Sequence, residues 1–281
     1  MEVVRRQYAH TDPLQVRIAT HRQFSERFFD FDEVSVRLMC LDGGERIVDV
    51  GCGPGHFLGF LYQCGHRGAL VGVDQSTAMV GEASERWRAR GLGNWVRGSA
   101  TTLPLADHCA DWVTARHMLY HVVDRGAALR EFCRIVAAEG QLLLSTNSEH
   151  GLVGIHDLIS QLADAFGFAS PERFVRSFTL ENALPQLLPY CAAIEVVLLP
   201  DALVFQAVEP IVAYVCSLFP SWQGTDNGDL AREMRAWLEE RTTKRFQALG
   251  GVWRDEKLTG FFVCQPRGER GGDCVIREHT W

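Results

Sequence analysis

Short apolar runs alternate through the first half of the chain with longer stretches in which apolar residues recur every three or four positions. The runs at 46–50, 69–74, 94–98, 111–115 and 141–146 are rich in β-branched residues and read as buried strands. The stretches 54–63, 77–90 and 124–136 carry the one-sided pattern of helices, and Ser76 stands where it can cap the second. Strands and amphipathic helices in alternation predict a parallel sheet with helices on both faces. Two helices come first. One starts at Asp12-Pro13 and runs through Leu14, Ile18, His21, Phe24 and Phe28. The other takes Phe31, Val34, Leu38 and Met39 and stops at Asp42-Gly43-Gly44, so 1–44 is expected to form a helical lid.

Past Asn147 the pattern changes. Residues 150–178 predict an inserted helical segment (Leu158, Ile159, Leu162, Phe166), broken at Ser170-Pro171. Helix 179–188 and strand 193–199 return to the sheet. Helices at 209–219 and 228–249 flank a turn-rich stretch, and 258–265 reads as a last strand. The glycine-rich, charged stretch 267–281 is expected to be disordered. The domain organisation expected is thus a lid at 1–44, a core at 45–266 with helical insertions near 148–178 and 207–250, and a tail.

The junction of the first strand and its helix is the most informative stretch: Asp49-Val50-Gly51-Cys52-Gly53-Pro54-Gly55-His56. Glycines permit positive φ and close backbone approach, so a flat ligand can lie on the main chain here, held by its amides. The helix start adds N–H groups and a partial positive charge. A phosphate loop would need Gly-Lys-Ser/Thr, and neither follows Gly55. The dinucleotide fingerprint would need glycine where His56 stands. What remains is D-x-G-x-G-x-G, with a second acid, Asp74, closing the next strand.

On these residues the chain resembles the class I methyltransferases, which bind S-adenosylmethionine. Asp49 to Gly55 match the first motif of that superfamily, and Asp74 matches the acid that holds the ribose hydroxyls. Gly98 to Pro104 match the stretch beside adenine, with Ser99 where an aspartate is frequent and Ala100 offering its backbone N–H. Asp107 to Asp111 and Ala115 to Val123 continue the match, nearest to the small-molecule, ubiquinone-biosynthesis-like branch. The resemblance covers roughly 45–146. It implies a Rossmann-like seven-stranded, mostly parallel sheet with the last strand antiparallel. It also implies S-adenosylmethionine as cofactor, in contact with Asp49, Gly51, Cys52, Gly53, Asp74, Gln75, Met79, Ser99, Ala100 and Arg116. Met79 can pack on adenine or in the core.

Composition narrows the partners. A net charge of −7 and scattered arginines do not suit a nucleic-acid polyanion. No apolar run reaches membrane-spanning length and the first residues lack a signal-peptide core, so no membrane partner is expected. The nine cysteines form no C-x-x-C pair and no metal spacing with histidine, which predicts free thiols, no metal and a cytoplasmic protein. Oligomeric state is not encoded in any pattern found.

Methyl transfer is an in-line displacement at a sulfonium, so the protein chiefly aligns the partners and keeps the site dry. Asn147, at the end of the fifth strand, can orient a polar group. Tyr8 and Tyr120 can face the sulfonium through cation–π contact. Where the nucleophile must lose a proton, His121, His117 and His150 can take it; each can equally be an ordinary hydrogen-bonded histidine. Arg17 and His21 lie four apart on one helix face and can meet a carboxylate or solvent. No Asn/Asp-Pro-Pro-Tyr/Phe follows the fourth strand, and no acidic metal triad is evident. A small-molecule acceptor is therefore expected. Two alternatives stay open: a cyclase or lyase that closes S-adenosylmethionine on itself to azetidine-2-carboxylate and methylthioadenosine, and a protein that binds S-adenosylmethionine without turnover.

Overall fold

The computed structural model describes residues 12–92, 94–167, 174–218, 228–267 and 274–281. Two compact units divide them. One gathers Met1–Phe28, His150–Phe174 and Pro200–Leu258; the other gathers Phe29–Glu149, Val175–Leu199 and Thr259–Trp281.

The second unit holds the first strands and their helices. In chain order these are α2 (Phe31–Met39), β1 (Ile47–Val50), α3 (His56–Gln63), β2 (Leu70–Asp74), α4 (Thr77–Arg88), β3 (Trp95–Arg97), β4 (Ala110–Arg116), α5 (Arg125–Ile135), β5 (Val136–Asn147) and α7 (Leu180–Leu187). The first unit holds α1 (Asp12–Phe24), α6 (Val153–Phe166), α8 (Glu209–Ser217) and α9 (Gly228–Ala248). Strands β6 (Cys191–Phe205) and β7 (Trp253–Pro266) each contain one of the chain's crossings between units, and β8 (Val275–Thr280) ends the sheet.

The eight strands run in the order β3-β2-β1-β4-β5-β7-β6-β8. Strands β1 to β5 pair in parallel, with Ile47 opposite both Leu70 and Trp112. Strand β7 then runs antiparallel to β5, with Leu142 opposite Cys264 and Asn147 opposite Thr259. The order reverses at β1/β4, which places a crevice at the carboxyl ends of those strands. β1 is buried at all four positions, as a central parallel strand covered on both faces must be. In the second unit one core forms around Val48, Val50, Val113, Phe132, Leu144 and Phe262 and another around Ile47, Phe57, Leu58, Leu143 and Phe261.

Three expectations change. Residues 275–280 are not a disordered tail: β8 pairs in parallel with β6 from Ala193↔Val275 to Leu198↔Thr280, giving eight strands rather than seven. All six β8 residues are exposed. Both its faces meet solvent, so main-chain bonds make the strand and no apolar pattern is needed. The two helices expected within 1–44 fall in different units. Phe24 of α1 packs on Phe205 with ring centroids 5.0 Å apart, inside the first unit, whereas α2 buries Val34 and Met39 in the second. Helix α1 also stops at Phe24 rather than Phe28, because Ser25 bridges to Leu203 and the Glu26 N–H donates to the Ala202 carbonyl at 2.8 Å. Finally, β5 starts at Val136 directly after α5, well before the expected 141, because Val136 pairs with Ala110 across an irregularity in the register. Among the described residues, no helix is long and apolar enough to cross a membrane.

Candidate functional site

The turn between β1 and α3 has positive φ at Gly51 (75°), Gly53 (53°) and Gly55 (76°), conformations that side chains disfavour. Each glycine has its own reason. A Cβ on Gly51 would lie 2.8 Å from the Met118 Cβ, and one on Gly55 would lie 2.3 Å from the Trp95 ring. A Cβ on Gly53 would meet nothing within 4 Å, so its bare face opens on free space. That opening is the room a flat ligand needs.

The loop's amides are spoken for. Gly51 and Cys52 donate their N–H to the Val73 carbonyl at 2.7 and 3.2 Å, Gly55 donates to Cys52, and Gly53 donates to Asp74 Oδ2 at 3.0 Å. The expectation that these main-chain amides hold the ligand is therefore revised: the loop offers glycine faces. Asp74 is the organiser, since its Oδ1 also accepts the Ser76 N–H at 2.8 Å. Each of its oxygens retains a lone pair for a further donor.

Asp49 is 3 % exposed. Its carboxylate accepts the Thr114 hydroxyl at 2.6 Å rather than a loop amide, so it ties β1 to β4. Burial, only partly offset by Arg116 and Thr114, raises its pKa from 3.8 to about 6. Burial likewise raises Asp74 above the usual carboxylate range, against the pull of the Ser76 and Gly53 amides. The Cys52 thiol is pushed far up by burial and then by these two acids. His56, the first residue of α3, is pushed down by burial and by Arg86. Two desolvated carboxyl groups beside a bare turn favour a cation there.

Other predicted residues scatter. Met79 is 2 % exposed, and its side chain is packed within the fold. Gln75 and Ser99 are exposed, and Ala100 is buried. Ser99 Oγ bonds Thr101 Oγ1 at 2.9 Å and accepts the Thr101 N–H, which leaves the backbone of Ala100 as the polar edge there. Arg116 turns to α2: Nη1 donates to Asp32 Oδ1 at 2.8 Å and to Ser35 Oγ at 3.3 Å, with the guanidinium 3.7 Å from the Phe57 ring centroid. Asn147 Oδ1 accepts the Thr259 hydroxyl at 2.8 Å, which leaves the amide's NH₂ group as its free end. His121 stands edge-on to Tyr120, centroids 4.5 Å apart. Tyr8 lies outside the described residues. His150, Arg17 and His21 belong to the other unit, where His21 Nε2 is 3.3 Å from Tyr214 Oη and Nδ1 is 3.1 Å from Lys257 Nζ.

Thr114, Asp32 and Ser35, Thr259 and Trp95 go unmarked in the sequence reading. Gly59, mid-helix in α3, carried a signal: its missing Cβ would sit 1.9 Å from the Trp87 ring, whose Nε1–H donates to the Pro54 carbonyl at 3.4 Å. Among the described residues no group of three or more His, Cys, Asp or Glu side chains could hold a metal ion.

Residues 48–144 match the protein family described as Methyltransferase domain. The demethylmenaquinone methyltransferase of Geobacillus kaustophilus is 31% identical over 153 residues, 53% of this chain and 63% of that protein. The ubiquinone/menaquinone biosynthesis C-methyltransferase of Xanthomonas oryzae is 34% identical over 110 residues, 38% of this chain and 44% of that protein. The chain thus spans less than two thirds of the curated relatives it matches. Among solved structures, the YcgJ protein of Bacillus subtilis aligns over 84% of this chain and 98% of its own, with TM-score 0.55 and 19% identity. The [4+2]-cyclase SpnF aligns over 84% and 81%, with TM-score 0.54 and 19% identity. Both speak for the fold alone.

Proposed function

Through residues 48–144 the chain belongs to the class I S-adenosylmethionine-dependent methyltransferases, and from that premise we propose that it methylates a small-molecule acceptor. The observation that carries the reading is the turn held by Asp74: a carboxylate that accepts the Gly53 and Ser76 amides, on a loop where a Cβ at Gly53 would meet nothing within 4 Å.

The residues fit the cofactor. Asp74 retains lone pairs for two vicinal hydroxyls, and a bare Gly53 leaves space for the adenosyl body. The backbone of Ala100 is the polar edge available to adenine. Asp49 and Asp74, both desolvated, favour a positive charge beside Gly51. When bound, S-adenosylmethionine supplies an electrophilic methyl group on a sulfonium. The chain's part is to align the acceptor and exclude water. Asn147, its oxygen held by Thr259, presents an amide donor to a polar group of the acceptor or of the cofactor. The relatives' names, a demethylmenaquinone and a ubiquinone/menaquinone biosynthesis methyltransferase, support a small organic acceptor. A reducing compartment suits nine free thiols, and we place the protein in the cytoplasm.

Calorimetry with S-adenosylhomocysteine, then mass spectrometry of S-adenosylmethionine incubated with a metabolite extract, tests the reading. Binding followed by extract-dependent S-adenosylhomocysteine is expected. Methylthioadenosine formed without any acceptor would replace it with the cyclase or lyase reading, and binding without turnover with that of a ligand-binding protein.

A further inference from the structure

Resting on the reading above, we infer that Glu131 and Arg134 are positioning residues for adenine: from α5 they fix the loop whose main chain at Ala100 reads the base.

The loop runs from the end of β3 to the start of β4, and main-chain bonds tie both of its ends. The Gly98 N–H donates to the Asp74 carbonyl at 3.0 Å, and the His108 N–H donates to the Arg134 carbonyl at 3.0 Å. Its first turn is tight. A Cβ on Gly98 would lie 2.9 Å from Pro104 Cδ and 3.0 Å from Val73 Cγ1, so the chain doubles back there. The middle of the loop is gripped by side chains of α5.

Arg134 gives each of its five N–H donors a partner. Nε donates to Glu131 Oε1 at 2.7 Å. Nη1 donates to the Leu105 carbonyl at 2.8 Å and to Asp107 Oδ1 at 2.6 Å. Nη2 donates to the Leu103 carbonyl at 3.1 Å and to Glu131 Oε2 at 2.8 Å. The same Glu131 oxygen accepts the Leu103 N–H at 2.6 Å. One ion pair thus holds both polar groups of the Leu103 backbone, while its side chain is buried. Arg134 also keeps Glu131 below the usual carboxylate range, so the acceptor stays ionised at neutral pH. A planar guanidinium bonded along its whole fork is a rigid anchor.

That rigidity matters because the base meets main chain. Ser99 Oγ is turned back on Thr101, and the backbone of Ala100 is the polar edge that remains. A backbone N–H has no rotamer of its own, so the loop that carries it sets its aim. Leu103 stands just past Ala100 and is the point where α5 takes hold. An N–H aimed at the base edge pairs with adenine N1, an acceptor, and opposes the N1–H of hypoxanthine, a donor. Correct aim therefore becomes base selectivity.

The test uses the whole chain and calorimetry with S-adenosylhomocysteine, S-inosylhomocysteine and the 2′-deoxy form of S-adenosylhomocysteine. The wild type should bind the inosyl probe about 10- to 100-fold more weakly than the adenosyl one, the cost of an opposed donor. Arg134→Lys keeps the charge but cannot span two carbonyls and a carboxylate. Its adenine preference should fall about tenfold, and Glu131→Gln, which keeps one oxygen for the Leu103 N–H, should lose about threefold. The penalty for removing the 2′ hydroxyl should not change, because Asp74 sets it. Leu103 amide exchange should quicken in both variants. A merely structural role would weaken all three probes by a common factor and leave both ratios as they are. Thermal melts establish that each variant is folded, and Glu131→Gln carries the test alone if Arg134→Lys does not fold. An unchanged adenine preference in the folded variants, two ratios that shift together, or a wild type indifferent to the base would overturn the proposal. A wild type that binds no S-adenosylhomocysteine would instead remove the cofactor reading beneath it.

Discussion

Asp74 Oδ2 accepts the backbone N–H of Gly53 at 3.0 Å, so the acid that ends β2 clasps the turn that follows β1. Sequence separates these residues by 21 positions. Adjacent parallel strands bring them together, since Val50 pairs with Val73. The same carboxylate thus shapes the turn and, in the function proposed above, holds the ligand.

That double duty makes Asp74 the most sensitive position for binding. Asp74→Asn keeps one acceptor oxygen but loses the charge that strengthens every bond it receives. S-adenosylhomocysteine affinity should fall about 10- to 100-fold, the worth of about 1.5–3 kcal/mol for a charge-assisted bond. Isothermal titration checks it; an unchanged dissociation constant would remove Asp74 from the site.

The two turn glycines should fail differently. Gly51→Ala collides with Met118 as well as straining φ, so it should lower the melting temperature markedly. Gly53→Ala meets no neighbour and should cost only about 1–2 kcal/mol of backbone strain. Its methyl group projects into the open face, so ligand affinity should drop more than stability does. Thermal melts beside ligand titrations of both variants separate the effects, and equal losses of binding and stability in Gly53→Ala would contradict it.

Asp49 should make stability depend on pH in an uncommon direction for an aspartate. Its folded pKa, about 6, lies above the ordinary 3.8, so the folded state binds the proton more tightly than the unfolded state. The protonated form carries no penalty below pH 3.8, and stability is lost as pH rises through about 6. The total is on the order of 3 kcal/mol. Asp49→Asn keeps an oxygen for the Thr114 hydroxyl and cannot ionise. Denaturant melts from pH 4 to 8, compared with the wild type, should show the variant gaining relative stability across that window. A constant difference would count against a buried, titrating Asp49.

Arg116 should matter for α2. Its ion pair with Asp32 has side chains 16% and 28% exposed, so solvent screens it in part. Arg116→Gln should cost about 1–3 kcal/mol, less than severing a fully buried pair. Amide exchange in α2 should quicken while the sheet stays protected. Unaltered exchange in 31–39 would show that the pair does not hold the helix.

Much of this fold is written in one-dimensional pattern. β1 to β4, and the turn that joins β1 to α3, follow from short β-branched runs and from glycines at positive φ, which residues with a side chain disfavour. The positions of Asp49 and Asp74 at strand ends came with them. Burial and pairing partners did not. Met79 could pack on adenine or in the core, and periodicity cannot tell a helix face buried by protein from one covered by ligand. Arg116 stands where a cofactor contact is expected, but its guanidinium is taken by Asp32, 84 positions earlier.

What the sequence determined by itself is local: which stretches extend, where the chain must turn on glycine, and which acids close the strands. Each depends on the steric and apolar character of a few consecutive residues. The tertiary structure alone decided that Thr114 holds Asp49, that Val73 and Asp74 consume the loop's amides, and that an exposed β8 completes the sheet. Those outcomes depend on which backbone groups meet across distant segments, and hydrogen bonding between main chains leaves almost no mark in side-chain order.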